Sequence, residues 1–424
     1  MSIFLIFLLQ IGKRCSKIED IFTVVNDMYL SKKFAAVKAS STLAIDTKFK
    51  AMKAAGEDVV GFGAGEPDFD TPEHIRAAAI KAIEDGFTRY TPASGTVELK
   101  EAVVQKFKRD NNLSYSVKNI VISNGAKHSL MNVLGAILNP GDEVIIPTPC
   151  WVSYPEMVRL NDGVPVFVKA TEEEGFIVSA EKIEKAVTDK TRAIIINTPS
   201  NPTGMVYSKE ELTRIAELCV KKEIYVVSDE IYEHLIYDGY KHFSIASVNE
   251  KIKDFTIVVN GVSKTYAMTG WRIGYTASNE KIASVMANVQ SHATSNPNSI
   301  AQKAALAALN GGMEEAHKMR DEFERRRNYM VKRINEIDGV SCIMPEGAFY
   351  VMMNISRLIG KKCGGEEITG SDSFAQLFLD NARVAVVPCS GFDSDIHVRW
   401  SYATSMENIK EGLNRLESFV GTLS

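Results

Sequence analysis

Through the middle of the chain, short apolar runs rich in β-branched residues alternate with stretches whose apolar positions recur at helical spacing. Residues 120–123 predict a strand, and 127–138 a helix that Asn139, Pro140 and Gly141 close. A strand over 144–147 and a helix over 151–160 come next. Strands at 193–196, 224–228 and 256–259, with a helix at 209–222, continue the series. Strands separated by helices predict an α/β fold whose sheet is mainly parallel and covered on both faces. Such sheets bind ligands at the carboxyl ends of their strands. Gly125, Asn201, Asp229 and Lys264 each follow a β run, so they are expected at one shared site.

The pattern changes after Asn310. A long charged helix over 314–337 leads to β runs at 340–344, 349–353, 385–387 and 397–401, then to a last helix. This predicts a second, smaller α+β domain. The expected division is a non-core leader over 1–27, a segment over 28–70 that packs with the small domain, a large domain over 71–310 and the small domain over 311–424. The boundary near residue 70 rests on the helix-start signal Thr71-Pro72-Glu73.

Composition narrows the function classes. The 424 residues carry a formal net charge of −4 and are 45% hydrophobic, as expected of a globular protein. No basic cluster marks a nucleic-acid footprint. The six cysteines (Cys15, Cys150, Cys219, Cys342, Cys363 and Cys389) form no C-x-x-C pair and have no histidine cluster beside them. Neither a disulfide framework nor a metal site has spacing support, so free thiols are expected. Residues 3–11 are apolar, but Lys13 and Arg14 follow the run, the reverse of secretory-signal order, and the run is too short to span a bilayer. A cytoplasmic protein without a membrane partner is expected, with Met28 as an alternative start; a membrane-associated leader is the other reading.

Chemistry concentrates in a few stretches. Lys264, beside Ser263, stands at a strand end, where a desolvated amine can condense with an aldehyde. Arg272 offers a fixed positive charge suited to a phosphate. Asp229 ends a buried strand and needs a partner, for which a protonated pyridine nitrogen would serve. Tyr232, three residues on, could donate to a ring oxygen, and Glu230 reads as structural. Asn201 sits in the rigid turn Asn197-Thr198-Pro199-Ser200-Asn201-Pro202. Gly125-Ala126-Lys127 opens a helix whose free amides suit a phosphate, and Trp151 could stack on a flat ring. Arg399, inside an apolar strand, needs an anion. Each has a plainer reading alone: a surface lysine, a helix-capping Asp, turn chemistry, a core Trp, an internal ion pair for Arg399. Gly61-Phe62-Gly63-Ala64-Gly65 imitates a dinucleotide-binding turn, but Glu66-Pro67-Asp68 forbids the helix that must follow. Gly65 instead reads as a point of close backbone approach to a ligand.

Taken in order, the stretches GAGEPDFDTP (63–72), RYTPASG (89–95), GAK (125–127), PCWVSYPEM (149–157), NTPSNPTG (197–204), SDEIYEHL (228–235), SKTYAMTGWRIGY (263–275), PEGAFY (345–350) and VRWSYATS (398–405) resemble the class I/II aminotransferases of fold type I. The nearest likeness is to the aspartate aminotransferase branch of bacteria and thermophiles, and it runs from Ser31 to the C-terminus. The resemblance implies a seven-stranded, mainly parallel sheet and pyridoxal 5′-phosphate as cofactor. It implies Lys264 as Schiff-base lysine and proton shuttle, Asp229 at the pyridine nitrogen, Tyr232 and Asn201 at the ring oxygen, and Trp151 stacked on the ring. Gly125, Ala126, Lys127, Ser263 and Arg272 would surround the phosphate, with Tyr90 reaching that of a neighbouring subunit in a homodimer. Arg399 would bind the substrate α-carboxylate, helped by Gly65, Trp151 and Asn201; Lys127 would meet a distal carboxylate, and Thr42 would join the substrate site from an N-terminal segment that closes over it. Cys389 departs from the glycine often found there, which puts the local backbone in question.

The implied reaction is ping-pong transamination between an amino acid and a 2-oxo acid. Lys127 favours a dicarboxylate pair, aspartate or glutamate with 2-oxoglutarate or oxaloacetate. Aromatic amino acids, alanine and prephenate are the alternatives within the class. A carbon–sulfur lyase and a non-catalytic sensor of the same fold are the rivals outside it.

Overall fold

The computed structural model describes residues 30–37 and 42–424, and only the backbone of 42–44. The expected leader, Met28 and the Thr42 side chain lie outside the described residues. Residues up to Lys38 form a unit of their own. Its described part is a short helix, Lys32–Ala35, with the Ser31 hydroxyl accepting from the Phe34 amide. The second unit, Ala39–Ser424, holds the sheets and the cleft.

Its strands are β1 (Val60–Gly61), β2 (Ile120–Ser123), β3 (Glu143–Thr148), β4 (Val164–Lys169), β5 (Thr191–Asn197), β6 (Tyr225–Asp229), β7 (Thr256–Gly261), β8 (Gly274–Ala277), β9 (Tyr350–Asn354), β10 (Lys362–Cys363), β11 (Glu366–Glu367), β12 (Val384–Ala385), β13 (Val387–Pro388) and β14 (His397–Ser401). Seven of them form one sheet in the order β2-β8-β7-β6-β5-β3-β4. The pairs from β4 to β7 are parallel, and β8 runs antiparallel between β7 and β2. The alternation of strands and helices thus produces the expected sheet.

Successive residues of a strand point to opposite faces, and here each face meets its own helices. Val144, Ile146, Ala193 and Ile195 pack with helices Ala126–Ile137, Ser153–Leu160 and Glu280–Ala293. Ile145, Ile194, Ile196 and Val226 pack with Ala180–Ala186, Lys209–Lys222 and Glu250–Phe255. The inner strands are therefore apolar at nearly every position, as a doubly covered sheet requires. Helix Lys209–Lys222 starts where the Ser208 hydroxyl accepts from the Glu211 amide at 3.1 Å.

Beyond residue 310, β13, β14 and β9 form an antiparallel sheet. Its Trp400 and Val398 share an apolar cluster with Ile45 and Met52 of helix Thr42–Ala54 and with Leu413 and Leu416 of Met406–Gly421. Two expectations need correction. Residues 340–344 form no strand, only an isolated bridge between Ser341 and Asn354. The run at 385–387 divides: β12 pairs with β1, and β13 with β14. β4 and β8 went unread because β4 is a half-exposed edge containing Pro165 and β8 is four residues long. Among the described residues, no helix is long and apolar enough to cross a membrane.

A buried polar network lies behind the ends of β6 and β7. Glu233 is ion-paired with the buried Lys106. It also accepts from Asn260 at 2.7 Å and Asn111 at 2.9 Å. Burial acts to raise its carboxyl, but Lys106, His234 and His242 outweigh burial and hold it well below the usual range. Glu230, Glu233 and His242 bring ligand-type atoms within 4.8 Å of one another. The Lys106 ammonium already supplies the cation there, so this cluster is a poor metal site. Lys106→Ala should strand Glu233 in the core and cost about 3–5 kcal/mol. Urea unfolding would read this as a lower midpoint at constant slope; an unmoved midpoint would show that the two asparagines suffice.

Candidate active site

One cleft of about 830 Å³ gathers most of the residues singled out from the sequence. Gly65, Ala126, Lys127, Trp151, Asn201, Asp229, Tyr232, Ser263, Lys264, Arg272 and Arg399 all line it. The sheet explains why. Asn197 and Asp229 are register partners at the carboxyl ends of β5 and β6, and Lys264 follows the end of the neighbouring β7.

Lys264 reaches across to donate a hydrogen bond to the Gly65 carbonyl. Its amine also lies 5.6 Å from the Phe349 ring centre and 5.8 Å from that of Tyr232. Burial lowers its pKa to about 8, with Arg399 and Arg272 acting in the same direction against Glu66 and Asp229. About a tenth of the amine is therefore neutral at pH 7, far more than an ordinary lysine offers, and nucleophilic attack on a carbonyl requires that form. The loop is tied a second time where the Thr269 hydroxyl donates to Glu66 at 2.7 Å.

Asp229 is buried and has no cation within ion-pairing distance among the described residues. Burial pushes its carboxyl up to about 6, and hydrogen bonds oppose that shift. The Tyr154 hydroxyl donates to Oδ2 at 2.7 Å, and the Ile231 amide to Oδ1 at 3.3 Å. Asn197 braces the turn, its Nδ2 on the Asp229 carbonyl at 3.0 Å and its Oδ1 taking the Asn201 amide at 2.8 Å. Glu230 turns away from the cleft to Ser228, Ser244 and His242, a structural role as expected.

Arg399 is also buried and meets no carboxylate among the described residues. Nη1 donates to Asn201 Oδ1 at 2.9 Å and Nη2 to the Gly63 carbonyl at 3.3 Å. The guanidinium lies 4.3 Å from the Tyr350 ring centre and 5.2 Å from that of Phe392. Its Nε has no partner. The internal ion pair that would have been the plainer reading is absent, and a buried guanidinium without a counter-charge calls for an anion from outside.

A second anion cradle lies at the start of helix Ala126–Ile137. Gly125 caps it at φ 87°, without a side-chain cap; its carbonyl takes the His128 and Ser129 amides, and those of Ala126 and Lys127 have no helix-internal acceptor. A side chain at Gly125 would overlap the Arg272 guanidinium, and one at Gly274 would overlap the backbone at Ala126. Both glycines let the arginine and the helix start close on the same space. Arg272 is fixed by Nη1 on the Thr269 carbonyl at 2.7 Å and makes no ion pair among the described residues. Lys127 holds its ammonium 4.8 Å from the Trp151 ring centre, its pKa lowered by burial and by Arg272.

Other positions stand differently. Tyr90 is 89% exposed and does not line this cleft. Thr42 begins a helix whose Ile45, Asp46, Phe49 and Lys50 do line it. Cys389 has φ −97°, a conformation any residue adopts, so its position does not call for glycine. After Gly65 no helix begins until Glu73, as the rejection of a dinucleotide turn requires. Tyr154, Tyr350, Phe392 and Glu66 also line the cleft, although no sequence pattern singles them out. The first two lie inside quoted motifs, three residues after Trp151 and at the end of PEGAFY, but nothing local marks their partners.

Comparison with known proteins agrees with this geometry. The model of the family described as aminotransferase class I and II matches residues 57–416. The chain is 49% identical to the aspartate aminotransferase of Bacillus subtilis (strain 168) over 393 residues, 93% of this chain and 99% of that one. It is 46% identical to the aspartate/prephenate aminotransferase of Cereibacter sphaeroides, over 93% of this chain and all of the other. Among solved structures, the aspartate aminotransferase of Rhizobium meliloti superposes with a TM-score of 0.91 at 42% identity, covering 94% of this chain and all of that one. That of Thermus thermophilus with maleate gives 0.86 at 42%, covering 92% and all. The chain therefore belongs to the class I and II aminotransferases and has their type I fold.

Proposed function

We propose that this aminotransferase takes its amino group from aspartate or glutamate, passes it to a 2-oxo acid, and works with pyridoxal 5′-phosphate held at Lys264. The observation that carries the reading is Arg399, a buried guanidinium without a counter-charge, facing the same cleft as a lysine whose pKa is lowered to about 8.

The donor set fits the cofactor. Arg272, Ser263 and the turn at Gly125 and Ala126 would hold its phosphate, and Asp229 would face its ring nitrogen. Tyr232 and the free Nδ2 of Asn201 would take its ring oxygen, and Trp151 would cover its face. When bound, pyridoxal phosphate supplies an aldehyde that accepts the amino group and a ring that spreads negative charge from the α-carbon.

The chain's own residues do the rest. Arg399 grips the α-carboxylate bidentately, and its contacts to Asn201 and Gly63 fix the plane of the fork. Lys264, as a neutral amine, would take the proton from the substrate α-carbon onto its Nζ and give it back to the carbon that bore the cofactor's aldehyde. The Gly65 carbonyl gives that amine a resting partner between transfers. Lys127, at the cleft wall, meets the distal carboxylate of a dicarboxylic substrate, and Thr42 is assigned to the substrate from the N-terminal segment. Ile45, Phe49 and Phe392 also line the cleft, and this apolar wall favours aromatic amino acids as a second substrate group. Tyr90, exposed on the single chain, is assigned to the phosphate of a second subunit in a homodimer. The large domain is placed at 71–310 and the small one at 311–424 with 28–70.

Lys264→Ala should abolish turnover, whereas the unaltered protein loaded with cofactor should change absorbance on adding aspartate alone. Full turnover by Lys264→Ala would overturn the mechanism. Arg399→Ala should lower kcat/KM by roughly 100-fold, about 3 kcal/mol, with the loss largely in KM. Lys127→Ala should lose more on aspartate than on phenylalanine; equal losses would remove it from the distal site. Condensation of an added aldehyde with Lys264 in cofactor-free protein should follow pH with a midpoint of about 8. Only the neutral amine attacks, so the rate rises with pH through that midpoint and then levels. A midpoint in the ordinary lysine range near 10.4 would refute the desolvated amine.

A further inference from the structure

The Tyr154 hydroxyl is the shortest hydrogen bond to the Asp229 carboxylate, and nothing in the proposed chemistry yet uses it. Tyr154 is buried near the start of helix Ser153–Leu160 and stands edge-on to Trp151, ring centres 5.3 Å apart at 89°. Among the described residues, its hydroxyl has Asp229 Oδ2 as its one hydrogen-bond partner, at 2.7 Å. The ring is thus held from one side by Trp151 and from the other by the carboxylate.

We propose that Tyr154 is a positioning residue of the reaction, whose hydroxyl keeps Asp229 ionised and fixes its rotamer so that Oδ1 faces the cofactor's ring nitrogen. This rests on the reading of Asp229 given above. A buried carboxylate with no cation partner survives ionised only through donors, since desolvation otherwise drives protonation. A neutral acid would not hold a proton on a pyridine nitrogen. The phenol suits the task because its own pKa, raised first by burial and then by Asp229, keeps it a donor throughout the working range. It occupies Oδ2, while Oδ1 carries only the longer bond from the Ile231 amide and remains open.

The other groups facing this carboxyl do not replace Tyr154. Glu230, the next residue, is a like charge whose side chain is taken up by Ser228, Ser244 and His242. Tyr232 spends its hydroxyl on that of Tyr350, at 3.1 Å. Lys264 acts on Asp229 only through its field, and its amine is bound to the Gly65 carbonyl. Cys150 faces Tyr154, and burial pushes its thiol up to about 12, so it stays neutral.

The test uses the full chain loaded with pyridoxal phosphate isotopically labelled at its ring nitrogen, so that NMR reports whether that nitrogen is protonated. Unaltered protein should show a protonated ring across the neutral range. Tyr154→Phe should shift the signal toward neutral pyridine and slow the aspartate half-reaction roughly 10- to 100-fold, the span of a hydrogen bond to a charged group. In an Asp229→Asn background, Tyr154→Phe should add little further loss, because both changes act on one group. An unshifted ring signal in Tyr154→Phe, or an equal loss in both backgrounds, would overturn the proposal. If Tyr154→Phe does not fold, a fluorinated tyrosine at 154 keeps the shape and strengthens the donor. It should then raise the pH at which the ring nitrogen loses its proton, and an unchanged or lower pH would overturn the proposal. A neutral ring in the unaltered protein would instead overturn the assignment of Asp229 itself, and Tyr154 with it.

Discussion

Taking a charge out of water is among the most expensive acts in folding, and this cleft does it repeatedly without supplying the counter-charge. Asp229 lies at the closed end of β6, Arg399 within β14, and Lys264 on the loop after β7. Each has hydrogen bonds and none has an internal ion pair among the described residues. The neighbouring Glu233, equally buried, is given Lys106, Asn111 and Asn260. The same fold satisfies one carboxylate fully and leaves another waiting. That contrast is what separates a structural charge from a site, since an unmatched buried charge persists only where a ligand will complete it.

The sheet makes the contrast affordable. Parallel strands end together, so β5, β6 and β7 deliver Asn197, Asp229 and the Lys264 loop to one edge. The rigid turn after β5 then carries Asn201 to Arg399 of the three-stranded sheet, a side-chain bond of 2.9 Å. The groups proposed to hold cofactor and substrate are thus tied by one amide. A shift of that turn would be felt at both.

Much of this was legible in the sequence, for definite reasons. The alternation of β-branched runs and helical spacing encodes which faces are buried, and it yielded the parallel sheet and the strand-end positions of Asp229 and Lys264. Arg399 stood out because an arginine in an apolar strand violates the pattern. What escaped was whatever depends on a partner far along the chain. Tyr154 meets Asp229 from 75 residues away, and no local pattern announces that bond. Tyr350 looks like an ordinary core aromatic until Arg399 is found on its face. The run at 340–344 has strand composition but finds only one bridge, because pairing is decided by neighbours and not by propensity. Cys389 seemed a risk only because glycine is common there; its backbone angle removes the concern.

The helix Thr42–Ala54 brings Ile45, Asp46, Phe49 and Lys50 to the cleft, yet none of the four touches Asp229, Arg272 or the Gly125 turn through any hydrogen bond or ion pair described above. Apart from Lys127, which shares the Gly125 turn, this apolar part of the cleft wall is therefore built on a different element from the machinery that would hold the cofactor. Substitutions on that helix can change which side chains are welcome while the strand-end chemistry stays as it is. A lineage carrying this fold can drift in diet without relearning how to react, which is a physical basis for a family whose members share one chemistry across many substrates.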